Sequence, residues 1–122
     1  MARSRSSAKQ AGARFERLVA DCLQRYVSEF IDRKVRTGAR DTGDIANLRT
    51  PQGKKVVAEL KDYQGRLLPG PWVTEAEAER VNDDAVAGIV IAKRRGKADP
   101  LDQFVLMTVR DYIAITTETR PE

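Results

Sequence analysis

The longest regular pattern in the chain begins at Phe15. Phe15, Leu18, Val19, Cys22, Leu23, Tyr26, Val27 and Phe30 recur at three- and four-residue spacings, which draws one apolar stripe along a helix. Glu16 falls at the edge of that stripe, on the side shared with Leu23 and Val27, so its carboxylate is placed to lean over whatever the helix covers. Before the stripe, residues 1 to about 9 mix Ser, Arg and Ala with no apolar periodicity and predict a flexible arm. The folded domain is then expected over 10–122.

Short strands follow. Residues 31–37 alternate loosely, 38–43 form a loop rich in Gly, Arg and Asp, and 44–48 predict a short strand. Asp41 is near enough in sequence to Asp44 to be a third acidic neighbour, but reads first as a loop residue. Thr50-Pro51-Gln52-Gly53 is a turn signal. Residues 54–61 carry the clearest strand pattern: Val56, Ala58 and Leu60 share one face, and Val57, Glu59 and Lys61 share the other. After a Gly/Pro-rich loop over 65–71, Thr74 and Glu77 have the spacing of a capping box, with Val73 and Ala78 at its staple positions. A second helix is expected there, with Trp72 packed beneath it. The apolar run 87–92 predicts a strand buried on both faces. Basic residues 93–97 turn the chain into a strand over 104–109, and a short helix around 111–115 closes the domain. The predicted order is helix, three strands, helix, two strands, helix.

The 122 residues suit one compact domain, and at 41% hydrophobic they suffice for one core. The apolar runs are too short to span a bilayer, and residues 1–10 lack the apolar segment of a secretory signal. A single cysteine, Cys22, allows no intrachain disulfide and suits a reducing, cytoplasmic setting. Histidine is absent, which excludes a Ser-His-Asp triad, a Cys-His dyad and His-ligated zinc. Hydrolytic chemistry in this chain must run on carboxylates, lysine and an oxygen-seeking metal ion.

The net charge of +4 is a mild bias towards a nucleic-acid partner, and its placement sharpens the picture. Arg3, Arg5 and Lys9 load the N-terminus, and Lys93, Arg94, Arg95 and Lys97 form a second basic cluster; both are candidate DNA-phosphate contacts. Acidic residues gather at Glu75, Glu77, Glu79, Asp83 and Asp84, which predicts segregated basic and acidic faces.

Phosphodiester hydrolysis requires an activated water, stabilisation of the charge on the pentavalent phosphate, and neutralisation of the leaving oxygen. Mg²⁺ held by a few carboxylates supplies much of this. Asp44 begins one strand. Glu59 and Lys61 lie two apart on the next, pointing the same way, and the turn before them is placed to pair the two strands. Lys61 can then orient the attacking water or stabilise the phosphate.

Gly43-Asp44 followed by Glu59-Leu60-Lys61 resembles the signature of the PD-(D/E)xK nuclease superfamily, with Gly43 where the motif's name places proline. The element order is similar to that superfamily's core. Phe15-Glu16-Arg17 on the first helix, and the Thr37-Gly38 loop, resemble the archaeal and phage Holliday-junction resolvases of the same superfamily. The resemblance covers roughly residues 10–95. It implies an α/β, restriction-endonuclease-like fold: a mixed central sheet of about five strands flanked by helices, in the order α-β-β-β-α-β-β-α. It further implies an endonuclease dependent on Mg²⁺, with Mn²⁺ as substitute. Asp44 and Glu59 would be metal ligands, Lys61 the catalytic lysine, and Glu16 an auxiliary acidic residue. The implied partner is DNA, a four-way junction cut by a homodimer, in the cytoplasm of a bacterial, archaeal or phage-infected cell. A restriction- or repair-type nuclease and a non-catalytic DNA-binding module are the alternatives. Retention of Asp44, Glu59 and Lys61 together argues against the last.

Overall fold

A computed structural model describes residues 3–36 and 38–122. Helix α1 spans Arg5–Tyr26. It starts ten residues before the apolar stripe, because Ser4 caps it by accepting the Ser7 amide N–H at 3.2 Å. Residues 5–9, expected within a flexible arm, are therefore its first turns. Arg3 is tied down as well, donating to the Asp62 carboxylate and to the Asp62 carbonyl, both at 2.8 Å. On the stripe, Phe15 and Val19 are buried and Leu23 packs against them. The helix ends at Tyr26, where the Val27 amide N–H closes on the Leu23 carbonyl at 2.8 Å. Phe30, expected on the helix, lies beyond it and is 71% exposed.

Strands β1 (Asp32–Arg33) and β2 (Ile45–Ala46) are shorter than the alternation predicts and pair antiparallel. Asn47 stops β2 by turning to φ 66°, with its side-chain amide donating to the Phe30 carbonyl at 2.9 Å. The Thr50–Gly53 turn forms as its residues dictate: Gly53 takes φ 91°, open to glycine without strain, and its N–H meets the Thr50 carbonyl at 2.9 Å. Strand β3 is Val56–Lys61.

Helix α2 is Pro69–Asn82, and its N-cap is Leu68 rather than Thr74, six residues earlier than the capping-box reading. Pro69 sits in its first turn, where a missing N–H costs nothing and its fixed φ favours the helix. Thr74 lies inside the helix and donates to the Gly70 carbonyl at 3.1 Å, so it caps nothing. Strand β4 (Ala87–Ala92) is buried throughout, as the continuous apolar run predicts. The chain then passes a 3₁₀ turn at Pro100–Asp102 into β5 (Phe104–Leu106) and α3 (Val109–Thr117). Thr108 and Asp111 cap α3 reciprocally: Asp111 N–H donates to Thr108 Oγ1 at 3.2 Å, and that hydroxyl donates to the Asp111 carboxylate at 2.7 Å.

The element order is the expected one, but the strands form two sheets, β1-β2 and a mixed β3-β4-β5, rather than one of five. β3 runs parallel to β4, and β5 antiparallel to it. Hydrogen bonds still join the two sheets: Asp44 N–H to the Ala58 carbonyl and Val56 N–H to the Leu48 carbonyl, both 2.9 Å. The period-two reading of β3 holds. Val56, Ala58 and Leu60 join α1 and α3 residues in the larger core, while the opposite face of the sheet meets Trp72 and Ala76 of α2. Trp72 thus packs under its helix, edge-on to Tyr63 with centroids 5.2 Å apart. Gly88 permits close approach of α2, since a Cβ there would stand 2.8 Å from the Ala76 carbonyl oxygen.

Candidate active site

Asp44 reaches its position through glycine. Gly43 adopts φ 94°, and a Cβ on it would lie 2.8 Å from Val57 Cγ1 and 3.1 Å from the Ala58 carbonyl oxygen. Neither proline, locked at negative φ, nor a bulkier residue fits there. The glycine in the motif's proline position therefore answers a local backbone demand. Past this bend, Asp44 Oδ2 accepts the Leu60 N–H at 2.8 Å. That bond crosses from the start of β2 to β3 and sets the Asp44 carboxyl beside Glu59.

Glu59 lies between two other carboxyl groups, within hydrogen-bonding reach of Asp44 on one side and Glu79 on the other. It is 6% exposed and Glu79 is 2% exposed. Glu59 Oε2 and both Glu79 carboxyl oxygens are buried without a hydrogen-bond partner. Burial, then the Glu79 and Asp44 carboxyls, push Glu59 up to about 10, against the pull of Lys61. Burial likewise raises Glu79 to about 7. Asp44 is raised, chiefly by burial and secondarily by the charges of Glu16 and Asp41, although the Leu60 N–H opposes the shift.

Lys61 Nζ stands 3.5 Å from Glu59 Oε1 and 2.8 Å from Glu75 Oε2. Burial acts to lower its ammonium, but the Glu75 and Glu59 carboxylates outweigh that and its pKa is raised. It stays charged at neutral pH, as an electrostatic or water-positioning group requires. A cleft of 490 Å³ opens beside it, lined by Arg3, Tyr63 and Arg66 among others.

The structure thus brings Asp44 beside Glu59 and Glu59 beside Lys61, with Glu75 as the nearer carboxylate of Lys61. Glu16 lies further out: Arg33 on β1 holds its carboxylate at 3.1 Å, and it acts on Asp44 through charge. Three further carboxylates stand here. Asp41 is a possible acidic neighbour of Asp44 in the sequence but reads first as loop, and Glu75 and Glu79 read as part of an acidic face. Their carboxylate oxygens and one from Glu59 all lie within 4.8 Å of one another. A signal for Glu79 is present in the sequence, since it stands three residues after Ala76 and seven after Trp72, on the buried stripe of α2. Three of the five residues of the expected acidic face are held in ion pairs. Glu77 binds Arg80 and Arg120, Asp83 binds Lys34 and Lys55, and Glu75 binds Lys61.

The basic candidates also divide. Arg5, Lys9, Arg95 and Lys97 are exposed. Arg3 is bound to Asp62, Lys93 donates to the Arg94 and Lys97 carbonyls, and Arg94 stacks over Phe104 at 4.7 Å while donating to the Asp102 carbonyl. These three also make contacts within the fold, two of them in the β4–β5 loop. Thr37 of the Thr37-Gly38 loop lies outside the described residues.

Buried carboxyl oxygens without partners are the donor set a hard divalent cation requires. Among the described residues, the carboxylates whose oxygens come close enough together for one ion are Asp41, Glu59, Glu75 and Glu79; of the two ligands expected from the sequence this group includes Glu59, while Asp44 stands beside it. No protein-family model, curated protein or solved structure matches this chain. Among the described residues no helix is long and apolar enough to cross a membrane.

Proposed function

We propose that this chain is a divalent-cation-dependent endonuclease that hydrolyses DNA phosphodiester bonds. The observation that carries the reading is that Glu59 on β3 stands between the Asp44 carboxyl, fixed by the Leu60 N–H, and the Lys61 ammonium 3.5 Å away, with a buried Glu59 oxygen left free to ligate. Asp44 and Glu59 would hold Mg²⁺, or Mn²⁺ in its place. Such an ion supplies a Lewis acid for the phosphate and lowers the pKa of nearby water.

The remaining work falls to the chain. The Leu60 N–H fixes Asp44, so the ligand geometry is set before substrate arrives. Lys61 directs its charge at the phosphoryl oxygens as negative charge grows there, or orients the attacking water; the dense packing around it limits its movement. Water adds to phosphorus, the bond to one ester oxygen breaks, and that oxygen leaves with a proton while the attacking water gives one up. Glu16, held by Arg33, tunes the field at Asp44 from the edge of the site.

The finer reading is a homodimer acting on four-way junctions in the cytoplasm of a bacterial, archaeal or phage-infected cell. It rests on the resemblance of Phe15-Glu16-Arg17 to the resolvases, and on the symmetry argument that two matched cuts need two fixed active sites. A parallel cleavage assay with Mg²⁺ on four-way junction, linear duplex, flap and single strand tests both levels. Preferential, paired cutting of the junction supports the resolvase. Preferential cutting of another substrate supports a restriction- or repair-type nuclease. No cutting of any, with DNA binding retained, supports a non-catalytic module.

A further inference from the structure

Glu79 is the anomaly of the site. It is only 2% exposed, it comes from α2 rather than from the strands, and neither of its oxygens has a hydrogen-bond partner. An ionised carboxylate in that position is strongly disfavoured unless something positive meets it. Among the described residues, the cationic side chains within 4.0 Å of the carboxylates around it are Lys61, on Glu59 and Glu75, and Arg36, at 4.0 Å from Asp41. Neither reaches Glu79.

The surroundings of Glu79 supply what a cation needs. Asp41, Glu59, Glu75 and Glu79 present oxygens within 4.8 Å of each other. Opposed ligands of one Ca²⁺ lie up to about 5 Å apart, and those of Mg²⁺ about 4 Å. The group therefore closes on one ion with side-chain adjustments of less than an ångström. Asp41 is held by the Gly43 N–H on its Oδ1 at 3.0 Å, and α2 holds Glu75 and Glu79 one turn apart on adjoining faces.

The geometry points to a second divalent-cation position, built by Asp41, Glu75 and Glu79 around Glu59, so that Glu59 bridges it to the position held with Asp44. Two ions sharing a carboxylate at about 3.5–4 Å suit phosphoryl chemistry, one for each of the two oxygens exchanged at phosphorus. The inference rests on the reading of Glu59 as a cation ligand and deepens it by adding ligands from α2 and from the 38–43 loop.

The test counts ions without using DNA. Mn²⁺ is titrated into the whole protein at pH 8, with binding followed by calorimetry and by the electron paramagnetic resonance signal of free Mn²⁺. The wild-type chain should bind two ions, Glu79→Gln one, and Asp44→Asn one, with the lost ion weakened by at least about tenfold. Asp41→Asn keeps the acceptor for the Gly43 N–H, so it tests the same position if Glu79→Gln fails to fold; it too should lose the second ion. A single ion in the wild type overturns the inference, as does full two-ion binding by both Glu79→Gln and Asp41→Asn. Two ions with no cutting of any DNA would remove the nuclease reading and leave this one. One ion with cutting would do the reverse.

Discussion

The carboxyl of Glu79 on α2 lies against the carboxyl of Glu59 on β3, and three of their four oxygens are buried with no donor to meet them except a proton carried by the carboxyls themselves. This pair keeps protons in the folded, cation-free protein that it would lose in the unfolded chain.

Stability should therefore depend on pH in a specific direction. Glu59 is raised to about 10 and Glu79 to about 7, from an ordinary value of 4.5. Acids raised on folding contribute stability that is complete below the ordinary value and is lost as pH climbs through the folded value. The cation-free protein should thus weaken from pH 5 to pH 8, by about 1.4 kcal/mol per pH unit for each proton retained. Asp111 and Glu77 act oppositely at the acid end. Asp111 is buried but held low by Arg120, Thr108 and the Gly88 N–H, and Glu77 is held low by Arg80 and Arg120. Their contribution is lost as pH falls below the ordinary carboxylate range. Mg²⁺ replaces the protons, so it should raise Tm more at pH 8 than at pH 5. Thermal melts with EDTA or Mg²⁺ check this. Stability rising from pH 5 to 8 without metal would show that the Glu59–Glu79 pair is not buried as described.

Lys61→Ala should slow cleavage by about a hundredfold or more, the range for a positioned electrostatic or acid–base group. Cation affinity should hold or increase, because a positive charge 3.5 Å from Glu59 Oε1 is removed. Single-turnover cleavage beside Mn²⁺ titration separates the two effects. A loss in rate below about threefold makes Lys61 a bystander.

Arg120 joins three elements near the C-terminal end. It donates to Asp111 at 2.6 Å, to Glu77 at 2.9 Å and to the Val86 carbonyl at 3.1 Å. Arg120→Ala leaves Asp111, almost fully buried, without its counter-charge. It should cost about 3 kcal/mol in urea unfolding, with little change in cation binding. A cost under about 0.5 kcal/mol, the range of ordinary surface changes, would show that Asp111 needs no such partner.

How far the sequence exposes this architecture depends on whether a feature is local. β3, the Thr50–Gly53 turn and the shared face of Glu59 and Lys61 follow from spacing, because a period-two pattern fixes which side chains share a face; β4 follows from its unbroken apolar run, whereas Asp44 is set beside Glu59 by its bond to the Leu60 N–H. The α2 start is displaced because Thr74 and Glu77 carry a capping spacing, while Pro69 begins the helix by a different device. The β1 and β2 ends depend on Asn47 turning to positive φ, which no pattern specifies. Glu79 looks in sequence like one charge among many on an acidic helix. Its burial comes from the register of Trp72 and Ala76 against the sheet, which is a tertiary fact. The basic residues carry charge in sequence whether they reach solvent or, like Arg3, a partner 59 positions away.

Arg5, Lys9, Arg95 and Lys97 are the exposed candidates for binding phosphate. Arg5→Ala with Lys9→Ala should weaken DNA binding and lower the slope of log K against log salt by about 0.9 for each duplex phosphate no longer neutralised. Lys93→Ala should instead loosen the β4–β5 loop, lower Tm and leave that slope unchanged. Salt titrations of binding distinguish these outcomes; an unchanged slope in the Arg5/Lys9 double variant would place DNA on another face.

The most direct measurement is cleavage of DNA by the wild-type chain, Asp44→Asn and Glu59→Gln in Mg²⁺, with EDTA as control. Each substitution removes ligand charge and keeps side-chain shape, so fold and DNA binding should persist. The wild type should cut with Mg²⁺ and not with EDTA, and each variant should lose at least about a thousandfold, on the order of removing a principal charge-stabilising group. Cutting by either variant at the wild-type rate, or undiminished cutting in EDTA, would contradict the nuclease assignment.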